Sequence, residues 1–197
     1  MDNMDGLEVT ECTRCPELVD SRTRIVNGTG PADADLLFVG EGPGQQEDQQ
    51  GEPFVGRSGT ILDDKLDARG LAREDVRITN CVRCRPPENR DPTSEELQNC
   101  FPYLQREIEQ VDPDVIITLG KVPSEHLLDR DVAVTNEAGS LAQADLGGRV
   151  RDVLICVHPA ATLYDRSQEE TLDAALDKAA SMAGEGGGGG QSRLGEF

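Results

Sequence analysis

Glu41, Asn80 and His158 each stand at the carboxyl end of a short apolar run. Ligands of open parallel α/β sheets bind just beyond such strand ends, so a carboxylate, an amide and an imidazole are expected to converge on one crevice. Between the first two lies Gln45 to Gly56, which carries Glu47, Asp48 and the apolar knob Phe54 between Pro53 and Val55. An aromatic ring beside those three groups suits a planar polar base. A lone histidine is more often structural than catalytic, and of the 2 present His126 falls within an expected helix, which leaves His158 as the candidate. Gly40-Glu41-Gly42-Pro43-Gly44 directly follows the first strand. It does not fit G-x-G-x-x-G, it has no lysine, and a long loop is expected between it and the next helix near Ser58. It is therefore a weak phosphate cradle and equally a tight turn.

The 6 cysteines form a second set. Met1 to Thr10 has neither the basic start nor the apolar stretch of an export signal, so metal ligation or reactivity is a better reading than disulfides. Cys12-x2-Cys15 and the distant Cys84 and Cys100 could supply four thiolates, a set that suits zinc or an iron-sulfur cluster without choosing between them. Cys81-x2-Cys84 is a competing pair, although Cys81 ends an expected strand. Cys156, inside Val153 to Val157, reads as a core thiol.

The elements that must position these groups follow from periodicity. Ala34 to Gly40, Val76 to Cys81, Asp114 to Leu119 and Val153 to Val157 are short apolar runs that read as buried strands. Ser58 to Arg69 spaces Ile61, Leu62 and Leu66 as a helix does and stops at Gly70. Thr93 and Glu96 make a capping box for a helix that continues through Leu97, Phe101, Leu104 and Ile108, with a bend expected near Pro102. A short helix is expected near Ser124 to Leu128, and a last one from about Ser167 to Ala183. Strands alternate with helices, which predicts a parallel sheet covered on both faces.

A chain of 197 residues predicts one core. We expect one domain over residues 1–183, then a Gly-rich linker over 184–190 and a tail over 191–197. In that tail Gln191, Leu194 and Phe197 are spaced to share one face of a 3₁₀ turn, a pattern that resembles a sliding-clamp-binding peptide. The formal charge is -19, from 38 acidic against 19 basic residues, and only Lys65, Lys121 and Lys178 are lysine. Phosphate neutralisation supplies most non-specific nucleic-acid affinity, so the charge by itself argues against such a partner. At molar salt the Debye length shrinks to ~3 Å, and both self-repulsion and long-range attraction are screened. The composition thus points to a salt-loving, archaeal host. No apolar run has the ~18 residues of a membrane span, and a cytoplasmic monomer is expected.

GEGPGQQED, GEPFVGRSG, ITNCVRCRPPENRDPT and VHPAATL, in that order between Cys12 and about Tyr164, resemble the motifs of family 4 uracil-DNA glycosylases, the iron-sulfur type of thermophiles and archaea. The resemblance implies a three-layer α/β/α sandwich around a central four-stranded parallel sheet. It also implies a [4Fe-4S] cluster on Cys12, Cys15, Cys84 and Cys100, with zinc as runner-up. The substrate would be uracil-containing DNA, single- or double-stranded, with the uridine flipped into a pocket. By the same resemblance Phe54 stacks on uracil, Asn80 reads its O4 and N3-H edge, Glu47 crowds the site of thymine's methyl group, and His158 donates to O2. Gly42 stands where many glycosylases keep an aspartate, which leaves Glu41, Glu47 and Asn89 to position water and stabilise the sugar cation. Leu163 or Tyr164 is a candidate wedge into the base stack. The alternative is a non-catalytic nucleic-acid-binding module with a structural four-cysteine zinc site; a nucleotide-binding enzyme using the GEGPG loop is a third reading.

Overall fold

The computed structural model describes residues 3–183. The chain begins with a hairpin, β1 (Asn3–Asp5) and β2 (Glu8–Glu11), which leads into α1 (Pro16–Ser21). Then come β3 (Leu36–Gly40), α2 (Gln45–Gln50), α3 (Arg57–Asp67), β4 (Arg77–Asn80) and α4 (Ser94–Val111). The second half holds β5 (Val115–Leu119), α5 (Lys121–Leu128), α6 (Val134–Glu137), β6 (Leu141–Leu146), β7 (Arg149–Cys156) and α7 (Ser167–Met182).

The main sheet runs β4-β3-β5-β7-β6. Its first four strands are mutually parallel, as expected, and β6 adds an antiparallel edge beside β7. Strand residues alternate between faces, and β3 shows why this sheet needs cover on both. Leu36 and Phe38 pack with Leu62 and Leu66 of α3 and Leu172 and Leu176 of α7. Leu37 and Val39 pack on the other side with Leu104 and Ile108 of α4 and Leu127 of α5. Burying each such side chain contributes ~1.5–3 kcal/mol.

Besides β1, β2, α1 and the short α6, which the apolar periodicity did not predict, two further elements depart from the expected pattern. Gln45–Gln50 is helical where a long loop was expected, so a helix does begin directly after Gly44. Its sequence, QQEDQQ, has no apolar residue to betray a period. β6 was also unforeseen, because an edge strand whose residues are nearly all exposed or half-exposed needs no apolar run. The Gly147-Gly148 turn, both residues at positive φ (67 and 73), closes the β6-β7 hairpin as such turns require. The helix expected to bend near Pro102 runs continuously from Ser94 to Val111, opened by the reciprocal Thr93 and Glu96 capping bonds.

Behind β4 lies a buried carboxylate, Glu107, which is fully shielded. It accepts from Arg77 Nε at 2.8 Å, Thr79 Oγ1 at 2.9 Å and Arg83 at 2.6 Å. Arg77 also donates to the carbonyls of Gly28 and Gly30, and Arg83 to Asn27 Oδ1. Asn27 in turn exchanges two hydrogen bonds with the backbone of Val9 in β2. Removing one partner of a buried pair strands the other charge and costs ~3–5 kcal/mol. Glu107→Ala is expected to lower unfolding stability by about that much in urea titrations, whereas exposed Glu170→Ala should change it by less than about 0.5 kcal/mol.

Candidate active site

The carboxyl ends of β3 and β4 and the segment after β7 open into one cavity of about 330 Å³, lined by Glu41, Gly42, Gly44, Glu47, Phe54, Ser58, Asn80 and His158. Every candidate pocket residue named from sequence except Asn89 lines it. Asn89 faces a neighbouring cleft shared with Glu41, Gly42, Gly44 and Arg90, and its Oδ1 accepts from Arg85 Nε at 2.8 Å. Ser58 and Gly44 were not singled out in advance. Both belong to the quoted motifs, but a serine at a helix start and a glycine in a turn have commoner structural explanations.

Phe54 is held in a left-handed backbone conformation, φ 54, that bulky residues rarely adopt. The surrounding bonds account for it. Glu47 Oε1 accepts the N-H groups of Val55 at 3.1 Å and Gly56 at 2.9 Å, while Oε2 accepts that of Gly44 at 3.1 Å. From the other side Arg73 donates to the carbonyls of Pro53 and Phe54 and pairs with Asp63. Gly59 of α3 passes so close that any side chain there would overlap the Phe54 carbonyl. Such clamping from both sides is what keeps a strained residue in place.

Asn80, 3% exposed, closes the pocket floor. Gly40 permits its approach, since a Cβ at that position would run into both Asn80 Oδ1 and the Phe54 ring. Among the described residues Asn80 Oδ1 is buried with no hydrogen-bond partner. A Cβ at Gly42 would lie 2.7 Å from Val82 Cγ2, so an aspartate there would require Val82 to shift.

His158 caps the 3₁₀ turn Pro159–Leu163. Its Nδ1 accepts the Ala160 N-H at 3.1 Å, which assigns the proton of the neutral ring to Nε2. Burial lowers its pKa from the ordinary histidine value, with Glu47 opposing weakly, so the neutral form dominates at neutral pH. Its ring centroid lies 5.9 Å from that of Phe54. Glu41 is perturbed the other way: burial first, and the neighbouring Asp91 carboxylate second, push it to about 7. His126 is packed edge-on against Phe101, outside the pocket. Leu163 and Tyr164 are exposed, Tyr164 at 89%.

Cys12, Cys15, Cys84 and Cys100 surround one common space, together with Leu18, Val19, Arg22, Arg83 and Asn99. Cys81 and Cys156 are buried elsewhere in the core. Arg22 donates to Cys84 Sγ at 2.9 Å and Asn99 Nδ2 to Cys15 Sγ at 3.6 Å. Burial raises the thiols of Cys15 and Cys84 and pushes Cys100 to about 12. Thiolates at such a place therefore need a cation and N-H donors, and the donors are present. No group of three or more of the described His, Cys, Asp and Glu side chains is arranged to hold a single metal ion.

A family model described as the uracil DNA glycosylase superfamily matches residues 27–180. The chain belongs to this superfamily. It is 38% identical over 190 residues to the type-4 uracil-DNA glycosylase of Archaeoglobus fulgidus, covering 93% of this chain and 95% of the relative. With the type-4 enzyme of Thermotoga maritima it shares 44% over 162 residues, 82% of each chain. With that of Saccharolobus solfataricus it shares 39% over 180 residues, 88% of this chain and 83% of the relative. These similarities place the glycosylase in the type-4 group. No helix among its described residues is long and apolar enough to cross a membrane.

Because Asp91 contributes after burial, Asp91→Asn should move the Glu41 pKa of this glycosylase downward from about 7 while leaving it above the ordinary 4.5. A carboxyl-carbon NMR titration checks the direction; an unchanged or raised midpoint contradicts it.

Proposed function

We infer that this chain excises uracil from DNA by hydrolysing the N-glycosidic bond of a flipped-out deoxyuridine, leaving an abasic site. The observation that carries the reading is the Asn80 amide, buried in the pocket with an unpaired Oδ1. An unsatisfied buried acceptor costs ~1–3 kcal/mol, so a ligand that completes it is expected. Uracil does so by donating N3-H to Oδ1 and accepting from Nδ2 at O4. Cytosine presents the reverse pattern and leaves the amide mismatched.

Phe54 supplies the stacking face. Glu47, whose carboxylate is already taken by three backbone N-H groups, acts by occupying the wall that a thymine methyl group would need. As the glycosidic bond breaks, negative charge grows on uracil O2, and His158 donates to it from Nε2. A donor placed for a developing charge is worth ~10²- to 10³-fold in rate. Glu41 and Asn89, on the side where Gly42 leaves no carboxylate, orient the attacking water and stabilise the sugar cation. Leu163 or Tyr164, both exposed, fills the gap left in the base stack. Arg57 and Arg166, exposed and without an ion pair among the described residues, supply phosphate contacts in an otherwise acidic chain.

Cys12, Cys15, Cys84 and Cys100 hold a [4Fe-4S] cluster in this reading. Four cysteines around one shared space, with Arg22 and Asn99 donating to two of their sulfurs, support a thiolate-held group there. Bound there, it would cross-link α1, α4 and the segment after β4. Six unpaired cysteines suit a reducing cytoplasm.

His158→Ala is expected to lower the single-turnover excision rate on a uracil oligonucleotide by about 10²- to 10³-fold, with DNA affinity changed much less. Asn80→Asp should weaken uracil excision and admit some cytosine. Equal losses of binding and no loss of chemistry in His158→Ala would refute its role, and intact strands with the unaltered protein at every salt concentration would refute the activity.

Residues 184–197, which contain the Gly-rich linker and Gln191, Leu194 and Phe197, lie outside the described residues. We propose that this tail docks on a sliding clamp, with one amide and two apolar anchors after a linker that reaches roughly 15 Å on average. Deleting 191–197, or Phe197→Ala, should abolish clamp binding and leave cutting of a short oligonucleotide intact. Undiminished clamp binding after deletion discards the idea.

A further inference from the structure

Two neighbouring acids on α2 face opposite ways. Glu47 holds the Phe54 loop, as described, while Asp48, 2% exposed, points toward the four-cysteine side. Its carboxylate accepts the N-H of Thr23 at 2.9 Å and 3.1 Å, the Thr23 hydroxyl at 2.7 Å and the N-H of Arg24 at 3.3 Å. The Thr23 hydroxyl also lies 3.0 Å from the Asp48 carbonyl oxygen. Immediately before Thr23 stands Arg22, which donates to Cys84 Sγ at 2.9 Å and to the Cys12 carbonyl at 2.7 Å. An unbroken line of short bonds thus runs from two cysteines through Arg22, Thr23 and Asp48 to Glu47 and the Phe54 loop.

We propose that Asp48 is a positioning residue that ties the pocket wall to the four-cysteine site, so that occupancy of that site sets how firmly Phe54 is held. The proposal rests on the readings of the pocket and of the cysteine site given above. α2 has only six residues and contributes no buried apolar side chain, so packing does little to anchor it. Its position depends instead on its polar bonds. The Asp48 side chain fixes it on one flank and the Glu47 side chain on the other. If the cysteines lose their shared ligand, Arg22 loses its fixed acceptor at Cys84, and the slack passes to Thr23, α2 and then Val55 and Gly56. Small displacements of a stacking ring matter, because a misplacement of about 1 Å can cost on the order of 10²-fold in rate.

The test uses the full chain with its cluster intact. Thr23→Val removes the two hydroxyl bonds at nearly constant volume, Thr23→Ser keeps them, and Asp48→Asn weakens the set from the other end. Three quantities are read: iron and visible absorbance per chain, hydrogen exchange of residues 53–57 against β5 as an internal control, and single-turnover uracil excision. Thr23→Val and Asp48→Asn should retain the cluster and keep β5 protected. Exchange at 53–57 should rise about 10-fold, and excision should fall about 10-fold with little change in DNA affinity. Thr23→Ser should restore both to within about 2-fold of the parent. Removing the cluster from the parent with a chelator should give the same selective rise at 53–57. Unchanged exchange at 53–57 overturns the proposal, as does a rise shared equally by β5 or loss of the cluster in Thr23→Val, since either makes the bonds general supports. The exchange measurement stands even if uracil proves not to be the substrate.

Discussion

The carboxylate of Glu107 is the constraint on which both sites depend. Buried between two guanidinium groups and a threonine hydroxyl, it fixes β4 from one side and the segment after it from the other. Asn80 ends that strand, and Cys84 follows Arg83 directly. Through Arg83 and Asn27 the same network reaches β2, which leads to Cys12 and Cys15. Glu107 is itself on α4, the helix that bears Cys100. A buried ion network adds little net stability compared with an apolar core, but breaking it is costly, and its directional bonds admit few alternative arrangements. Here it registers the floor of the pocket against all three stretches that carry the four clustered cysteines.

The pocket is preorganised by backbone rather than by large side chains. Phe54 holds an unfavourable conformation because Glu47, Arg73 and Gly59 leave it no other. Gly40 and Gly42 let Asn80 and Val82 close in where any side chain would intrude. Such a site needs little rearrangement when a planar base enters, which is where much of the advantage of positioned groups arises.

Its polar groups suit an acidic protein. In the proposed reading a neutral imidazole and a carboxamide would recognise a base through short hydrogen bonds that salt does not screen, and burial keeps His158 neutral despite the nearby Glu47. Glu41, near its midpoint at about 7, holds less negative charge at the mouth than an ordinary carboxylate would. On that reading, recognition of the base would be largely separated from the repulsion between a chain of net charge -19 and a polyanion.

By itself the sequence determined the parallel strands, the long capped helix and the strand ends that carry Glu41, Asn80 and His158. Short β-branched and apolar runs such as LLFVG and VIITL, bounded by turn residues, read as interior strands, and a strand exit has a fixed address in an α/β sheet. It also determined which thiols are available and, through several ordered motifs, the family. The tertiary structure decided what polar residues do, because their partners are distant in sequence and leave no period. QQEDQQ is a helix because Gly44, Thr23, Val55 and Gly56 complete bonds to Glu47 and Asp48. β6 exists because β7 offers it an edge. Glu107, one acid among 38 in the sequence, becomes the anchor of the molecule only once Arg77, Thr79 and Arg83 enclose it away from water.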